Sequence, residues 1–392
     1  MICWPTKKLS DLLEICNVGV WGKPAIKGKG LFVLRSTNMT NEGRLNFSDV
    51  AERKVDSNIK KFKLLDGDIL VEKSGGGPDQ PVGRVAYFVA PDDKVYTFAN
   101  FIQRLRVKSN LIDGRFLFYR LLFLHKIGFT KRLQSQTTGI RNLKLSLYLK
   151  TEIPVPPIKI QKQIVERLDK IVRAQKLNEG LIQKANELFQ SLLHKELNST
   201  GKRWEVKKLG DFINPQYGYT AAAKDEGMYR FIRITDIDNT GELRNLDKKY
   251  VSLTTKDAQP YKLTNGDLLL ARTGATFGKI LYFKENEPAI FASFLIRLNP
   301  NTKIINPFFL WLFSRSRNYW KQANSLMTGS GQPQFNANKL KQIKISLPSL
   351  VIQKQVVANL SAIQEYKTQL FAQKSKLKEL FDSVLAKSFG GE

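Results

Sequence analysis

From Ile164 onward, apolar side chains recur in alternating steps of four and three. The run is Ile164, Leu168, Ile171, the polar pair Gln175 and Asn178, then Ile182, Ala185, Phe189 and Leu192. It is written again as Val356, Leu360, Ile363, Lys367, Leu370, Lys374, Leu377, Phe381 and Val384. A step averaging 3.5 residues is the seam of a coiled coil, and polar residues near its middle fix register. Pro154, Pro156 and Pro157 precede the first run and Pro348 the second; proline is not tolerated inside a helix. The spacing predicts long helices over 158–197 and 348–392, the first roughly 60 Å long at 1.5 Å per residue. Neither can hide its apolar stripe alone, so each is expected to cover the other. Antiparallel packing, with the globular halves at opposite ends and an approximate two-fold axis, is the expected geometry.

The chain before each helix reads as mixed α/β. Phe32 to Leu34, Ile69 to Val71, Arg84 to Val89 and Phe101 to Val107 are short β-branched or aromatic runs bounded by Gly, Asp or Pro, and predict strands. Phe231 to Ile232, Asp267 to Leu270, Ile280 to Phe283 and Phe294 to Leu298 do the same later in the chain. Helices are predicted over 115–126 and 307–321, Pro307 suiting a first helical turn.

These halves are two copies of one unit. Trp4, Lys7, Lys8, Leu9 and Asp11 recur as Trp204, Lys207, Lys208, Leu209 and Asp211. Gly67-Asp68-Ile69-Leu70 recurs as Gly266-Asp267-Leu268-Leu269, and Gly83-Arg84-Val85 as Gly278-Lys279-Ile280. Phe98, Ala99 and Phe101 recur as Phe291, Ala292 and Phe294, and Ile160 to Gln163 as Ile352 to Gln355. The order is kept throughout, with a period near ~200 residues that is too long for a solenoid. The expected architecture is α+β: two tandem mixed α/β domains, residues 1–157 and 198–347, each followed by a long helix, 158–197 and 348–392. Ser74 to Pro81 is longer than its counterpart Thr273 to Phe277. Variable loops on a shared frame point to two sites of one kind with different specificities.

Composition narrows the partner. Lys and Arg number 63 against 35 Asp and Glu, a net charge of +28. Such a surface attracts a polyanion, and nucleic acid is the expected one. The longest apolar stretch, 116–124, is too short to cross a membrane and contains Arg120. Cys3 and Cys16 are the only cysteines and His125 and His194 the only histidines. That leaves no material for a His/Cys metal centre or a Cys-His or Ser-His-Asp device, and fits a reducing cytoplasm.

Three catalytic motifs are imitated. Pro78-Asp79 with Asp92-Asp93-Lys94 imitates a metal nuclease, but the second copy has no equivalent. Asn214-Pro215-Gln216-Tyr217 and Asn306-Pro307-Phe308-Phe309 imitate an amino-methyltransferase loop without its second proline; a loop and a helix start explain them better. Gly274 to Ile280 imitates a phosphate-binding loop one residue short and without its Ser or Thr. What remains is binding by polar, glycine-rich loops whose side chains suit base edges. In the first half the candidates for DNA contact are Lys73, Ser74, Gln80, Arg84, Arg141 and Asn142. In the second they are Arg233, Arg272, Thr273, Thr276, Lys279, Gln332, Gln334 and Asn336.

Taken together, the whole chain resembles the specificity subunits of type I restriction-modification systems. The resemblance is carried by the doubled Trp-x-x-Lys-Lys-Leu start, Gly266 to Gly274, Thr328 to Asn336, Ile345 to Pro348, and Gln353-Lys354-Gln355 opening a heptad helix. The helix start departs from the family pattern, with Ile160-Gln161 and Ile352-Gln353 where an acidic residue usually precedes Gln. Thr137 to Leu145 also matches the family poorly. The resemblance implies two target-recognition domains that each read half of a split duplex sequence. It implies helices that set the gap and dock two methyltransferase subunits. S-adenosylmethionine, ATP and Mg²⁺ are then expected on the methyltransferase and motor-nuclease partners, with no cofactor or catalysis on this chain. Without partners, its exposed heptad faces are expected to drive formation of a homodimer.

Overall fold

The computed structural model describes residues 4–26, 28–55, 59–76, 80–137, 140–198, 203–238, 241–329 and 333–390. The chain forms two compact units: residues 1–179 with 373–392, and residues 180–372. Each contains one globular half and a stretch of both long helices.

In the first unit a four-stranded antiparallel sheet runs in the order Leu13–Val18, Ile102–Val107, Ile69–Glu72, Val85–Tyr87. Alternate side chains face opposite ways along a strand, and both faces are covered. Ile69, Val71, Val85 and Leu105 pack with the helix Gly114–Lys126 and with Leu168 and Ile171 of the first long helix. Leu70, Ala86 and Ile102 pack with Leu34, Tyr96 and Phe98. These last three belong to a second sheet in which Leu31–Leu34 lies parallel to Tyr96–Phe98. Burial on both faces explains why the strands read as continuous apolar runs.

The second unit repeats this plan. Its antiparallel sheet runs Ile213–Tyr217, Leu295–Pro300, Leu268–Ala271, Ile280–Tyr282. Tyr229–Ile232 lies parallel to Ala289–Phe291 in the smaller sheet. In each unit the Lys-Lys strand near the start of the repeat pairs with the strand that leads into a long helix. Thr6–Lys8 pairs with Glu152–Pro154, and Glu205–Lys208 with Lys344–Leu347.

The long helices span Ile158–Leu197 and Leu350–Phe389, 40 residues each, and pack antiparallel. In the first unit Gln175 Nε2 donates to Leu377 O at 3.2 Å and Asn178 Nδ2 to Gln373 Oε1 at 3.0 Å. In the second, Ile182 and Ala185 cluster with Leu370, and Lys367 Nζ sits 4.9 Å from the Phe189 ring centroid. Leu168, Ile171, Ile182, Phe189, Val356, Leu360, Leu370 and Phe381 are buried, and Ile164, Leu192, Ile363, Leu377 and Val384 are half-buried. Lys374, predicted in the seam, is exposed, and the polar partner of Asn178 is its neighbour Gln373. At the end of the first helix Leu193 is deeper than Leu192.

A buried glutamine locks each long helix to its domain. Gln161 Nε2 donates to Pro156 O at 2.7 Å, and its Oε1 accepts from Asp113 N–H at 2.8 Å. Gln353 donates to Pro348 O at 2.9 Å and Ile304 O at 3.1 Å, and accepts from Asn306 N–H at 2.8 Å. Asp113 and Asn306 are themselves N-caps, whose side chains accept from backbone N–H groups of the following turn. The duplicated Gln therefore fixes the entry of the long helix against the start of the preceding one.

Two expectations are corrected. The helix expected over 307–321 is two helices, Pro307–Phe313 and Arg317–Leu326. Ser314 Oγ donates back to Trp311 O, Ser316 Oγ caps Tyr319 N–H, and Arg315 lies 3.8 Å over the Trp311 ring while pairing with Glu242. Short polar side chains at this point satisfy the backbone better than a continued helix would. The segment containing Asn214-Pro215, expected as a loop, is the outer strand Ile213–Tyr217.

Candidate nucleic-acid interface

The central strand of each unit ends on a cation whose backbone joins two other segments. Lys73 N–H donates to Phe101 O at 2.9 Å, and Lys73 O accepts from Leu143 N–H at 2.8 Å. Arg272 N–H donates to Phe294 O at 3.2 Å, and Arg272 O accepts from Phe335 N–H at 2.7 Å. The next residue continues the pattern: Ser74 registers with Asn142, and Thr273 bridges to Gln334. The hairpin Gln134–Thr137/Ile140–Leu143 thus holds in the first unit the place that Thr328, Gln334 and Phe335 hold in the second. Backbone pairing equates two segments whose sequences share little.

Around this junction the first unit offers half-buried Lys73 and Arg141 and exposed Gln80. Ser74 Oγ donates to Asn142 Oδ1 at 2.7 Å, so these two side chains hold each other. Phe101 stands 41% exposed beside the left-handed Gly75, where an added Cβ would lie 3.5 Å from its ring.

The second unit is more aromatic. The Arg272 guanidinium lies 5.4 Å from the Tyr217 ring centroid and 5.3 Å from that of Phe294. These rings are 43% and 50% exposed. Thr273 is buried, and neither its Oγ1 nor Arg272 Nε has a hydrogen-bond partner among the described residues. Gln334 is exposed. Lys339 Nζ donates to Thr328 Oγ1 and Gln334 O. Asn336 is spent on capping Lys339 N–H, and Thr276 donates to Ile234 O at 3.5 Å. Gln332 lies outside the described residues.

Arg84, Arg233 and Lys279 stand elsewhere in the electrostatics. Arg84 is buried and bidentate on Glu72, at 2.8 Å and 2.7 Å, and also donates to Met39 O and Ser36 O. A guanidinium with four internal bonds is not open to a base edge, so Arg84 is a core residue of the first unit. Arg233 pairs with Asp236 at 2.7 Å, and its backbone N–H is held by the same carboxylate. This ties it to the turn after its strand. Lys279 occupies the Arg84 position, but Ala271 stands where Glu72 is. Burial pulls its amine below the usual lysine range, against the attraction of Asp238.

The catalytic imitations resolve into structure. Asp92 Oδ1 accepts from Lys94 N–H and from the Tyr96 hydroxyl, closing a turn, while Asp79 lies outside the described residues. Gly274–Thr276 is a single 3₁₀ turn with no helix behind it. Among the described residues no cluster of three His, Cys, Asp or Glu side chains could hold a metal. No described helix is long and apolar enough to cross a membrane. Phe101, Phe294 and Tyr217 escaped the sequence reading. Both phenylalanines belong to the repeated Phe-Ala-x-Phe pattern, but an apolar residue at a strand start is expected in the core.

A family model, the type I restriction modification DNA specificity domain, matches residues 1–187 and 201–379. A type I restriction enzyme specificity subunit of Methanocaldococcus jannaschii, MjaVIII, is 28% identical, covering 92% of this chain and 86% of its own. The StySPI specificity subunit of Salmonella potsdam is 23% identical over 92% of this chain and 82% of its own. Among solved structures, a type I restriction-modification S subunit from M. genitalium aligns with TM-score 0.62 at 18% identity, covering 98% of this chain and 96% of that one.

Proposed function

The chain belongs to the type I restriction-modification DNA specificity family, and on that premise we propose that its two globular halves read the two parts of one split duplex sequence. The supporting observation is the repeated junction after the central strand. There a cation, an exposed phenylalanine and a polar hydrogen-bonded segment are brought together twice by the same backbone bonds. The residue types differ between copies, Lys73 with Ser74 and Asn142 in one and Arg272 with Thr273 and Gln334 in the other. One frame thus carries two sets of base-edge chemistry. The net charge of +28 supplies the attraction to phosphate on which such reading rests.

In this reading the chain brings recognition and no catalysis. The long helices space the two readers and offer their outer faces to two methyltransferase subunits. A motor-nuclease subunit joins that complex. S-adenosylmethionine, ATP and Mg²⁺ belong to those partners, in the cytoplasm. Alone, the chain pairs with a second copy. The test is to replace residues 198–347 with the corresponding domain of a relative and measure duplex binding at fixed salt. Exchange of one half of the preferred sequence, with the other half kept, is expected. A change in both halves, or in neither, overturns the assignment of one reader to each domain.

A further inference from the structure

We propose that Arg272 is a guanine-reading residue of the second domain, presenting a guanidinium held over two aromatic rings to the major-groove edge; this rests on the DNA-reading function argued above. Arg230 and Arg297 of the same unit each have a carboxylate within 4 Å as well as hydrogen bonds to neutral groups, Arg315 pairs with Glu242 at 2.9 Å, and Arg233 is bidentate on Asp236. Arg272 has no acidic partner and no side-chain acceptor among the described residues; its Nε is buried without one, as are those of Arg297 and Arg315, but unlike them it has no carboxylate nearby. Within the chain its charge is met only by the Tyr217 and Phe294 rings among the described residues, which leaves its Nη donors for an acceptor outside the chain.

The surroundings distinguish a base from a phosphate. A phosphate-contacting cation needs charge and reach and little orientation. Arg272 is held at both ends instead. Its backbone N–H and C=O are bonded to Phe294 and Phe335, and its guanidinium Cζ lies 5.4 Å and 5.3 Å from the Tyr217 and Phe294 ring centroids. Cation–π contact with two rings restrains the long side chain, so less freedom is lost when its Nη groups bond O6 and N7 of guanine together. Its neighbour Gln334 is exposed and neutral, a base-edge group whose backbone carbonyl accepts from Lys339 Nζ, while Thr273 is buried. In the first domain Lys73 takes the same place. The platform is reduced there to Phe101, because Val18 stands where Tyr217 does. A lysine has no planar fork, so the inference predicts different base chemistry at the two equivalent positions.

The test uses Arg272→Lys and Arg272→Ala in the full chain, with the subunits that co-purify with it. Bound duplexes are selected from a random pool at several salt concentrations, and thermal melting confirms that each variant is folded. The expected result is a roughly ten- to hundred-fold loss of preference at one G·C pair of the second half-site in both variants. The first half-site stays intact, and the salt slope is unchanged for Arg272→Lys. Uniform weakening on all sequences, with Arg272→Lys close to wild type, would make the residue a phosphate contact and overturn the proposal. Unchanged selection by folded Arg272→Ala would overturn it as well. Absence of any split motif from the wild-type chain is a different failure, because it removes the DNA-reading function beneath the inference.

Discussion

Gln353 is fully buried with three backbone partners, and Gln161 repeats its role. Removing such a side chain leaves buried donors and acceptors unpaired, at about 1–3 kcal/mol. Gln353→Leu is expected to lower the urea midpoint accordingly, and an unchanged midpoint would contradict this account of the motif. Gly180 sits inside the first long helix, and an added Cβ there would meet nothing within 4 Å. Gly180→Ala should therefore stabilise the chain by about 0.5–1 kcal/mol through helix propensity, visible as a higher midpoint. His125 is depressed to about 4 by burial, then by the nearby charges of Arg84, Lys126 and Lys131. Its folded value lies below the ordinary 6.5, so protons favour the unfolded chain. The stability it contributes is present above pH 6.5 and lost as pH falls toward 4. His125→Gln should flatten that part of an acid-unfolding profile. At this scale residue type was legible and state was not. Nothing in the sequence distinguishes Arg84, closed on Glu72, from Arg272, which has no acidic partner, since the difference lies in which strand neighbour each meets.

Among elements, periodicity carried most of the prediction. The long helices and the four predicted strands of each half appear because an apolar stripe at 3.5 or a short apolar run has few ways to be buried. Elements held by pairing rather than burial were harder to read. The outer strands Leu13–Val18 and Ile213–Tyr217 have mixed polarity, and the hairpin Gln134–Thr137/Ile140–Leu143 gave no signal of its equivalence to Thr328, Gln334 and Phe335. A feature visible only in three dimensions is the clasp between each domain and its helix. Arg44 and Glu242 each follow a left-handed glycine, Gly43 and Gly241, inside the same bridged turn. Arg44 bonds Gln175 and pairs with Glu179 at 2.8 Å. Glu242 instead accepts from Gln364 and Arg315, and the nearby Lys367 cation opposes the burial that raises its pKa. The sign of the clasp is reversed between copies. Arg44→Glu is expected to destabilise the first unit, and adding Glu179→Arg to recover most of the loss. Exposed pairs of this kind are worth up to about 1 kcal/mol. Strictly additive effects in the double-mutant cycle would show that the clasp contributes nothing.

For the whole molecule, duplication is the fact from which the rest follows. It was legible end to end, because the Trp, Gly-Asp, Phe-Ala and Ile-Gln-Lys-Gln marks keep their order. The structure gives each mark a physical reason: a closing strand, a turn with left-handed Gly67 or Gly266, a strand end, and a buried lock. An excess of cations on such a frame predicts duplex binding that weakens steeply with salt on every sequence. The half-sites should be distinguished by the few side chains at the two junctions. The most direct test of this account is to select bound sequences from a random duplex pool, using the full chain with its co-purifying subunits near physiological salt. A split motif of two short half-sites at one fixed gap is the predicted result. Salt-sensitive binding with no motif, or a single continuous site, would contradict it.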